Sequence, residues 1–371
     1  MKKIDLRRFD ANMKTAEVCA GGGVFWIDAD DSRCRLDGFA FRSAGEPFRR
    51  LPYSPALPEA VNALAGHTAG GMLTFRTDSR RIRLRARLEN HCRMDHMAAT
   101  GSGGFDLYAG PAGHRRFSGI ARFDPAAAEY EILLLEREQG GMEEFQLNFP
   151  LYSGIGSLAV GLDEGAVLET PAPWSNPAPV VIYGSSITQG GCASRPGSAF
   201  PAMLSRMLDR PFLNFGFSGS GKGEPEVIAA IAAVRTPALF VLDYQANAGS
   251  AGIRDTLAGA IDTLRETHPS VPVLIVSRIR WNRERLVTGS DFLHDAEAEE
   301  AIAYQRTEAE RRRAAGDRLV FFLNGESLTG PDWHECTVDG VHPTDLGFHR
   351  MAEGLLPVIS ELLTLTGTHH E

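Results

Sequence analysis

Two serines follow an apolar run in VVIYGSSITQGG, residues 180–191, and a histidine follows an aspartate by three residues in TVDGVHPTDLGF, residues 337–348. A serine hydroxyl is a weak nucleophile until a base takes its proton, and the base works best when a third group orients it. On a tight loop the spacing of Asp339 and His342 lets the carboxylate reach the imidazole Nδ1–H and leaves Nε2 free to face a hydroxyl. The chemistry suggested is acyl transfer through Ser185 or Ser186. Such a site also needs donors for the oxyanion. NFGFSGSGKG (214–223) offers backbone N–H groups around Gly219, and DYQAN (243–247) ends in Asn247, whose amide is a neutral donor.

These residues must be positioned by strand ends. VVIYG (180–184), PFLNFG (211–216), ALFVLDY (238–244), PVLIVSR (272–278) and RLVFFLN (318–324) are apolar enough to be buried on both faces. Helical patterns lie between and after them: AFPAMLSRMLD, PEVIAAIAAV, about 252–267, near 295–315, and LGFHRMAEGLLPVISELL. Strand–helix alternation implies a parallel sheet with helices on both faces, and ligands in such sheets bind beyond the carboxyl ends of the strands. Ser185 and Ser186 and the two donor segments fall there, while Asp339 and His342 lie just before the last helix.

The first half has a different rhythm. VFWID (24–28), FAFRS (39–43), MLTFRTD (72–78), IRLRARL (82–88), FDLYAG (105–110), RRFSGIARF (115–123), EYEILLL (129–135), EFQLNFP (144–150) and SLAVGL (157–162) alternate in period two between turn residues. That pattern predicts an antiparallel sandwich of jelly-roll type, with one short helix over PEAVNALAG (58–66). ETPAPWSNPAP (169–179), with four prolines, reads as a stiff linker or a strap between domains. The expected domains are a sandwich over 1–168, the linker over 169–179 and a catalytic domain over 180–371.

Composition narrows the function. A net charge of −9 argues against non-specific binding to nucleic acid or anionic membrane. No apolar run approaches the roughly 20 residues that span a bilayer, and the basic N-terminus has no apolar stretch after it, so a cytoplasmic chain is expected. Five cysteines without a C-x-x-C pair fit free thiols and give no zinc framework.

GSSIT, FSG, DYQAN and DGVHP, in that order, resemble the four signature blocks of the SGNH (GDSL-type) hydrolase/esterase family, in its branch with an N-terminal β-sandwich (jelly-roll) domain. The resemblance covers about 176–365, and more loosely the first half, where FWIDADD…RLDGFAFRSAGEPFRRLP looks like the start of the sandwich. It implies an α/β fold: a three-layer α/β/α (flavodoxin-like) SGNH-hydrolase domain with five parallel strands, preceded by an all-β sandwich domain. It makes Ser186 the nucleophile, with Ser185 in the usual aspartate position. His342 becomes the base, Asp339 its orienting acid, and the Ser186 N–H, Gly219 N–H and Asn247 amide the oxyanion hole. Ser185, and Gln245 and Ala248 around Asn247, depart from the family pattern.

The implied activity is a serine esterase hydrolysing a short-chain acyl ester, an acetyl ester on carbohydrate foremost, through an acyl-enzyme. No cofactor and no metal are implied. The partner is a small-molecule or carbohydrate ester, with neither nucleic acid nor membrane, and a homo-oligomer is left open. The alternatives are an acyltransferase using the same acyl-enzyme and a non-catalytic carbohydrate-binding protein.

Other features carry both plain and functional readings. Ser186 alone suits a helix N-cap, and Asn247 a turn. GFSGSGKG approaches a P-loop but has Gly223 where a hydroxyl belongs. Arg81, Arg83, Arg85 and Arg87 make either a basic stripe or a solvated strand face. His91, Cys92, Asp95 and His96 are metal-ligand types without the spacing of a closed site. Cys192, Trp281 and Trp333 are candidate pocket walls.

Overall fold

The computed structural model describes residues 23–281 and 295–365. In the first half the strands are β1 (Val24–Asp28), β2 (Arg35–Asp37), β3 (Met72–Thr77), β4 (Arg81–Glu89), β5 (Asp106–Ala109), β6 (Arg116–Ile120), β7 (Glu129–Glu136), β8 (Glu143–Asn148), β9 (Gly154–Asp163) and β10 (Leu168–Glu169). Two short helices interrupt them, α1 (Glu59–Leu64) and α2 (Ala99–Ser102). One antiparallel sheet runs β1-β9-β4-β7, and the other β10-β3-β8-β5-β6 with β2 also on β3. Between them lie Phe75, Phe105, Leu107, Phe145, Leu147 and Val160, all inaccessible, as the alternation predicts for a β-sandwich.

Residues 39–43 are not the expected strand. They form turns, with Phe39 in the sandwich core and Phe41 packed beside Phe215 of the second half, ring centroids 6.4 Å apart. The alternation there reflects two cores that take alternate aromatics, not a pleat.

The second half carries β11 (Val180–Gly184), β12 (Phe212–Gly216), β13 (Leu239–Asp243), β14 (Val273–Val276) and β15 (Val320–Leu323). The helices are α3 (Ser186–Gln189), α4 (Phe200–Leu208), α5 (Pro225–Ala232), α6 (Gln245–Thr267), α7 (Ala296–Ala314) and α8 (Asp345–Thr364). All five strands are parallel in the order β12-β11-β13-β14-β15, so this is an α/β fold of flavodoxin-like order. One face packs on α5, α6 and α7 and the other on α4 and α8. The direction of winding reverses between β11 and β13, which makes a crevice where ligands bind. α6 begins earlier than expected because a first turn precedes Gly249, whose non-helical backbone (φ 63°) breaks the helical pattern.

The two halves share their cores. Leu51, Leu57, Val61 and Ala65 join one face of the parallel sheet, and Ala69, Met97, Leu151 and Tyr152 the other. The linker is stitched down as well: Trp174 Nε1 donates to Asp37 Oδ1 at 3.1 Å under the Arg35 guanidinium. No helix among the described residues is long and apolar enough to cross a membrane.

Candidate active site

Ser185 and Ser186 leave β11 and divide two tasks between them. Ser185 is the N-cap of α3, its Oγ accepting from the Ile187 N–H at 3.2 Å, and Ser186 is the first helical residue. The cap is therefore Ser185, and the Ser186 hydroxyl is left for other work. α3 lasts one turn before Gly190 ends it in the left-handed region, φ 107°. So short a helix has little macrodipole, and charge at Ser186 is met by individual N–H groups rather than by a helix dipole. Ser186 is buried, with only 8 % of it accessible.

His342 arrives on a pinched loop. Thr337 and Pro343 bridge across it, the Val338 N–H donates to the His342 carbonyl at 2.8 Å, and Thr344 caps α8. The pinch turns Asp339 back on the ring: its Oδ2 lies 2.7 Å from His342 Nδ1, while Oδ1 accepts from the His342 and Val341 N–H groups at 2.8 and 3.0 Å. Burial pushes the Asp339 carboxyl up, but the bonds from His342 and Val341 outweigh it and hold it below its ordinary value. On the other side of the ring, Nε2 lies 2.9 Å from Ser186 Oγ. The sequence is thus folded into a Ser–His–Asp relay, with Asp339 placed to fix the tautomer that leaves Nε2 as acceptor. Gly191 leaves room for the ring, since a Cβ there would stand 3.2 Å from His342 Cδ2.

The three groups expected to receive an oxyanion come from three strand ends. Gly219 has φ 67°, a conformation that disfavours any side chain, and open space above its α-carbon. The N–H groups of Ser186 and Gly219 have no partner among the described residues. Asn247 Nδ2 donates to the Phe217 carbonyl at 3.1 Å, which uses one of its two amide hydrogens.

Two residues that sequence reasoning missed hold this side in place. Gln189, the last residue of α3, accepts from the Ser218 N–H at 3.0 Å and donates to the Leu151 carbonyl at 3.0 Å. Arg50, wholly buried, donates to the carbonyls of Asn214 (3.0 Å), Gly216 (2.6 Å), Leu64 (2.7 Å) and His67 (2.9 Å). Neither has a local spacing signal, because each acts across the chain.

The remaining candidates separate. Lys222 is exposed, and Gly221 packs so near β11 that a Cβ would meet the Gly184 carbonyl at 2.1 Å; the glycines serve close packing and the loop is no phosphate cradle. On β4, Arg81 pairs with Asp163 (2.7 Å) and Arg85 with Glu131 (2.7 Å), while Arg83 is buried, so the four arginines do not make one exposed basic stripe. His91 bonds Ser153 at 2.8 Å, and Cys92 lies 3.9 Å from His67 Nε2, whereas His96 stands over His342, ring centroids 5.7 Å apart. The His91–His96 group is therefore not one cluster. Cys34, Cys92, Cys192 and Cys336 are free thiols. Trp281 packs under the Arg278 guanidinium, and Trp333 sits edge-on to His334 in a short turn.

Residues 177–360 match the profile of the GDSL-like lipase/acylhydrolase family, and residues 24–168 that of GxDLY, the N-terminus of SGNH-hydrolase-type esterases. The chain belongs to the GDSL-like (SGNH) hydrolase family. Gly104-Phe105-Asp106-Leu107-Tyr108 spells the motif that gives the N-terminal profile its designation. Its period-two geometry explains it. Phe105 and Leu107 enter the sandwich core, while Asp106 and Tyr108 face the hydrolase domain. Asp106 Oδ2 accepts from the Gly197 N–H (2.9 Å) and Arg195 (3.0 Å), and its Oδ1 from Asn148 (2.8 Å). Thr100 adds a bond to the Ser194 carbonyl at 2.7 Å. The sandwich thus clamps the loop that follows Ser186 and α3.

Among solved structures, a protein described as a GDSL-like lipase from Bacteroides ovatus is 29 % identical, with TM-score 0.84, 92 % of this chain and 98 % of that one covered. The salicylyl-acyltransferase SsfX3 of a tetracycline biosynthetic pathway shares the fold at 20 % identity, TM-score 0.71, with 91 % and 97 % covered. So does a family two carbohydrate esterase from Cellvibrio japonicus, at 14 % identity, TM-score 0.59, with 92 % and 99 % covered. No curated protein matches the chain significantly.

Proposed function

We propose that this hydrolase is a serine esterase that removes short acyl groups, acetyl foremost, from a carbohydrate. The observation that carries the reading is the unbroken relay from Ser186 Oγ through His342 to Asp339, at 2.9 and 2.7 Å. Ser186 attacks the ester carbonyl as His342 Nε2 takes its proton, and Asp339 stabilises the imidazolium. The Ser186 and Gly219 N–H groups, with the second amide hydrogen of Asn247, receive the oxyanion. His342 then protonates the leaving alcohol, and water releases the acyl group by the reverse path. The carbohydrate part rests on the fold shared with the Cellvibrio japonicus carbohydrate esterase.

Hydrolysis of p-nitrophenyl acetate by wild type and Ser186→Ala tests the nucleophile, and acetate release from acetylated sugars tests the substrate. A loss of at least ~100-fold in the variant is expected. Equal rates would sink the assignment of Ser186. Turnover only in the presence of an acceptor alcohol would make the protein an acyltransferase, and glycan binding without turnover would make it a recognition protein.

A further inference from the structure

His96, Cys192 and His342 come from three distant stretches of chain, and one ligand atom of each lies within 4.8 Å of the others. His96 belongs to the sandwich, Cys192 to the loop after α3, and His342 to the relay. We propose that they form a binding site for a soft divalent cation, Zn²⁺ or Cd²⁺, that switches the relay off.

Four features support the site. Imidazole and thiolate are the donors that these cations prefer. Each histidine is backed by a carboxylate at Nδ1, Asp95 for His96 at 3.1 Å and Asp339 for His342 at 2.7 Å. Carboxylate-backed histidines are the usual support of metal-binding imidazoles, and they leave Nε2 for the cation. Asp339 Oδ2, 4.0 Å from His96 Nε2, places a negative charge beside the site. Finally, Cys192 is held at φ 72°, where a glycine would be unstrained.

The fit needs only small movements. Tetrahedral Zn²⁺ with bonds of about 2.0–2.3 Å sets its donors roughly 3.3–3.8 Å apart, so the three groups close by about 1 Å. His96 has the freedom to do this, its side chain being 34 % accessible. Burial and the nearby Asp339 charge push the Cys192 thiol up to about 12, so it carries its proton when free. Binding forms a Zn–S bond, breaks the S–H bond and releases that proton to solvent.

The consequence for the relay is the same for either nitrogen of His342. A cation on Nε2 takes the lone pair that would accept the Ser186 proton. A cation on Nδ1 displaces Asp339. The effect on turnover rests on the esterase reading above; the binding does not.

The test uses tag-free, full-length protein with ZnCl₂ or CdCl₂ as probe. Calorimetry should find one cation bound to wild type and to Ser186→Ala, and Cd²⁺ should raise an ultraviolet thiolate-to-metal absorption. Zn²⁺ should suppress ester hydrolysis, with EDTA restoring it. His96→Ala and Cys192→Ser should each weaken binding by ~10-fold or more, and Cys192→Ser should lose the absorption. Cys192→Gly, suited to the backbone there, stands in should the serine variant fail to fold. No binding at about 100 µM Zn²⁺, or binding unchanged in the variants, would overturn the site. Binding with the thiolate absorption in a protein without esterase activity would uphold the site and reject the esterase.

Discussion

Asp106 Oδ2 accepts a hydrogen bond of 2.9 Å from the Gly197 backbone N–H, and a strand of the sandwich thereby holds the loop that leads away from Ser186. Gly197 permits the approach, because a Cβ there would stand 2.7 Å from the same oxygen. Asp106 is inaccessible, and Arg195 and Asn148 also bond to it. Asp106→Ala leaves a guanidinium and a backbone N–H without their acceptor, and breaking a largely buried pair costs about 3 kcal/mol. We expect a lower Tm and a fall in kcat with Ser186 and His342 intact. Thermal unfolding and ester hydrolysis would check both, and an unchanged Tm would show that the clamp holds nothing.

Gln189 makes a separable prediction. Its Oε1 holds the Ser218 N–H and so sets the turn that presents Gly219. Gln189→Leu keeps the volume but frees that turn, so the Gly219 donor is no longer preorganised. Loss of one oxyanion donor costs roughly 10²–10³ in kcat, and a loosened one should cost less, about 10-fold or more. KM should change little, because the donor acts on the transition state. A rise in KM with kcat preserved would place Gln189 in substrate binding instead.

Asp339→Asn tests the orienting role. The amide can still occupy the space, but it favours the tautomer whose Nε2 carries a proton, leaving Ser186 without a base. A fall in kcat of up to about 10⁴ is expected, with KM nearly retained. In the wild type, bonds from His342 and Val341 hold the Asp339 carboxyl below its ordinary value. The stability it contributes is therefore present above the unfolded carboxylate range and is lost as pH falls through the lowered value. Asp339→Asn should flatten that acid limb of the unfolding curve; an identical limb in both proteins would count against the ion pair.

The parallel sheet was legible because strands buried on both faces read as unbroken apolar runs, such as Val180–Gly184, wholly buried in the fold. Ser186 and His342 were legible because strand ends and the last helix frame them closely. What escaped acts across the two halves. Arg50 spends its charge on four backbone carbonyls, and carbonyls leave no trace in side-chain chemistry. Asp106 looked like one polar position in an alternating strand, yet its outer face is another domain rather than water. His96 lay in a suggestive local group, but its neighbour is His342, far along the chain. Residues 39–43 misled in the opposite sense, since two separate cores imitate the pleat of a strand.

Asp243 closes β13 beneath the site and accepts from Thr188 Oγ1 at 2.7 Å. Burial pushes its carboxyl up to about 7, with the Thr188 bond opposing only in part. A raised carboxyl pKa destabilises the fold once the unfolded chain has lost its proton and the native state has not. Stability should therefore fall as pH rises from about 4 to about 7 and level off above that, a loss on the order of 4 kcal/mol at most. Asp243→Asn keeps an acceptor for Thr188 and removes the titration. The variant should unfold at a higher temperature than wild type at pH 8 and lose that advantage near pH 4. Chemical unfolding across this range would show it, and a wild type whose stability does not decline between pH 4 and 7 would mean that Asp243 is ionised in the native protein.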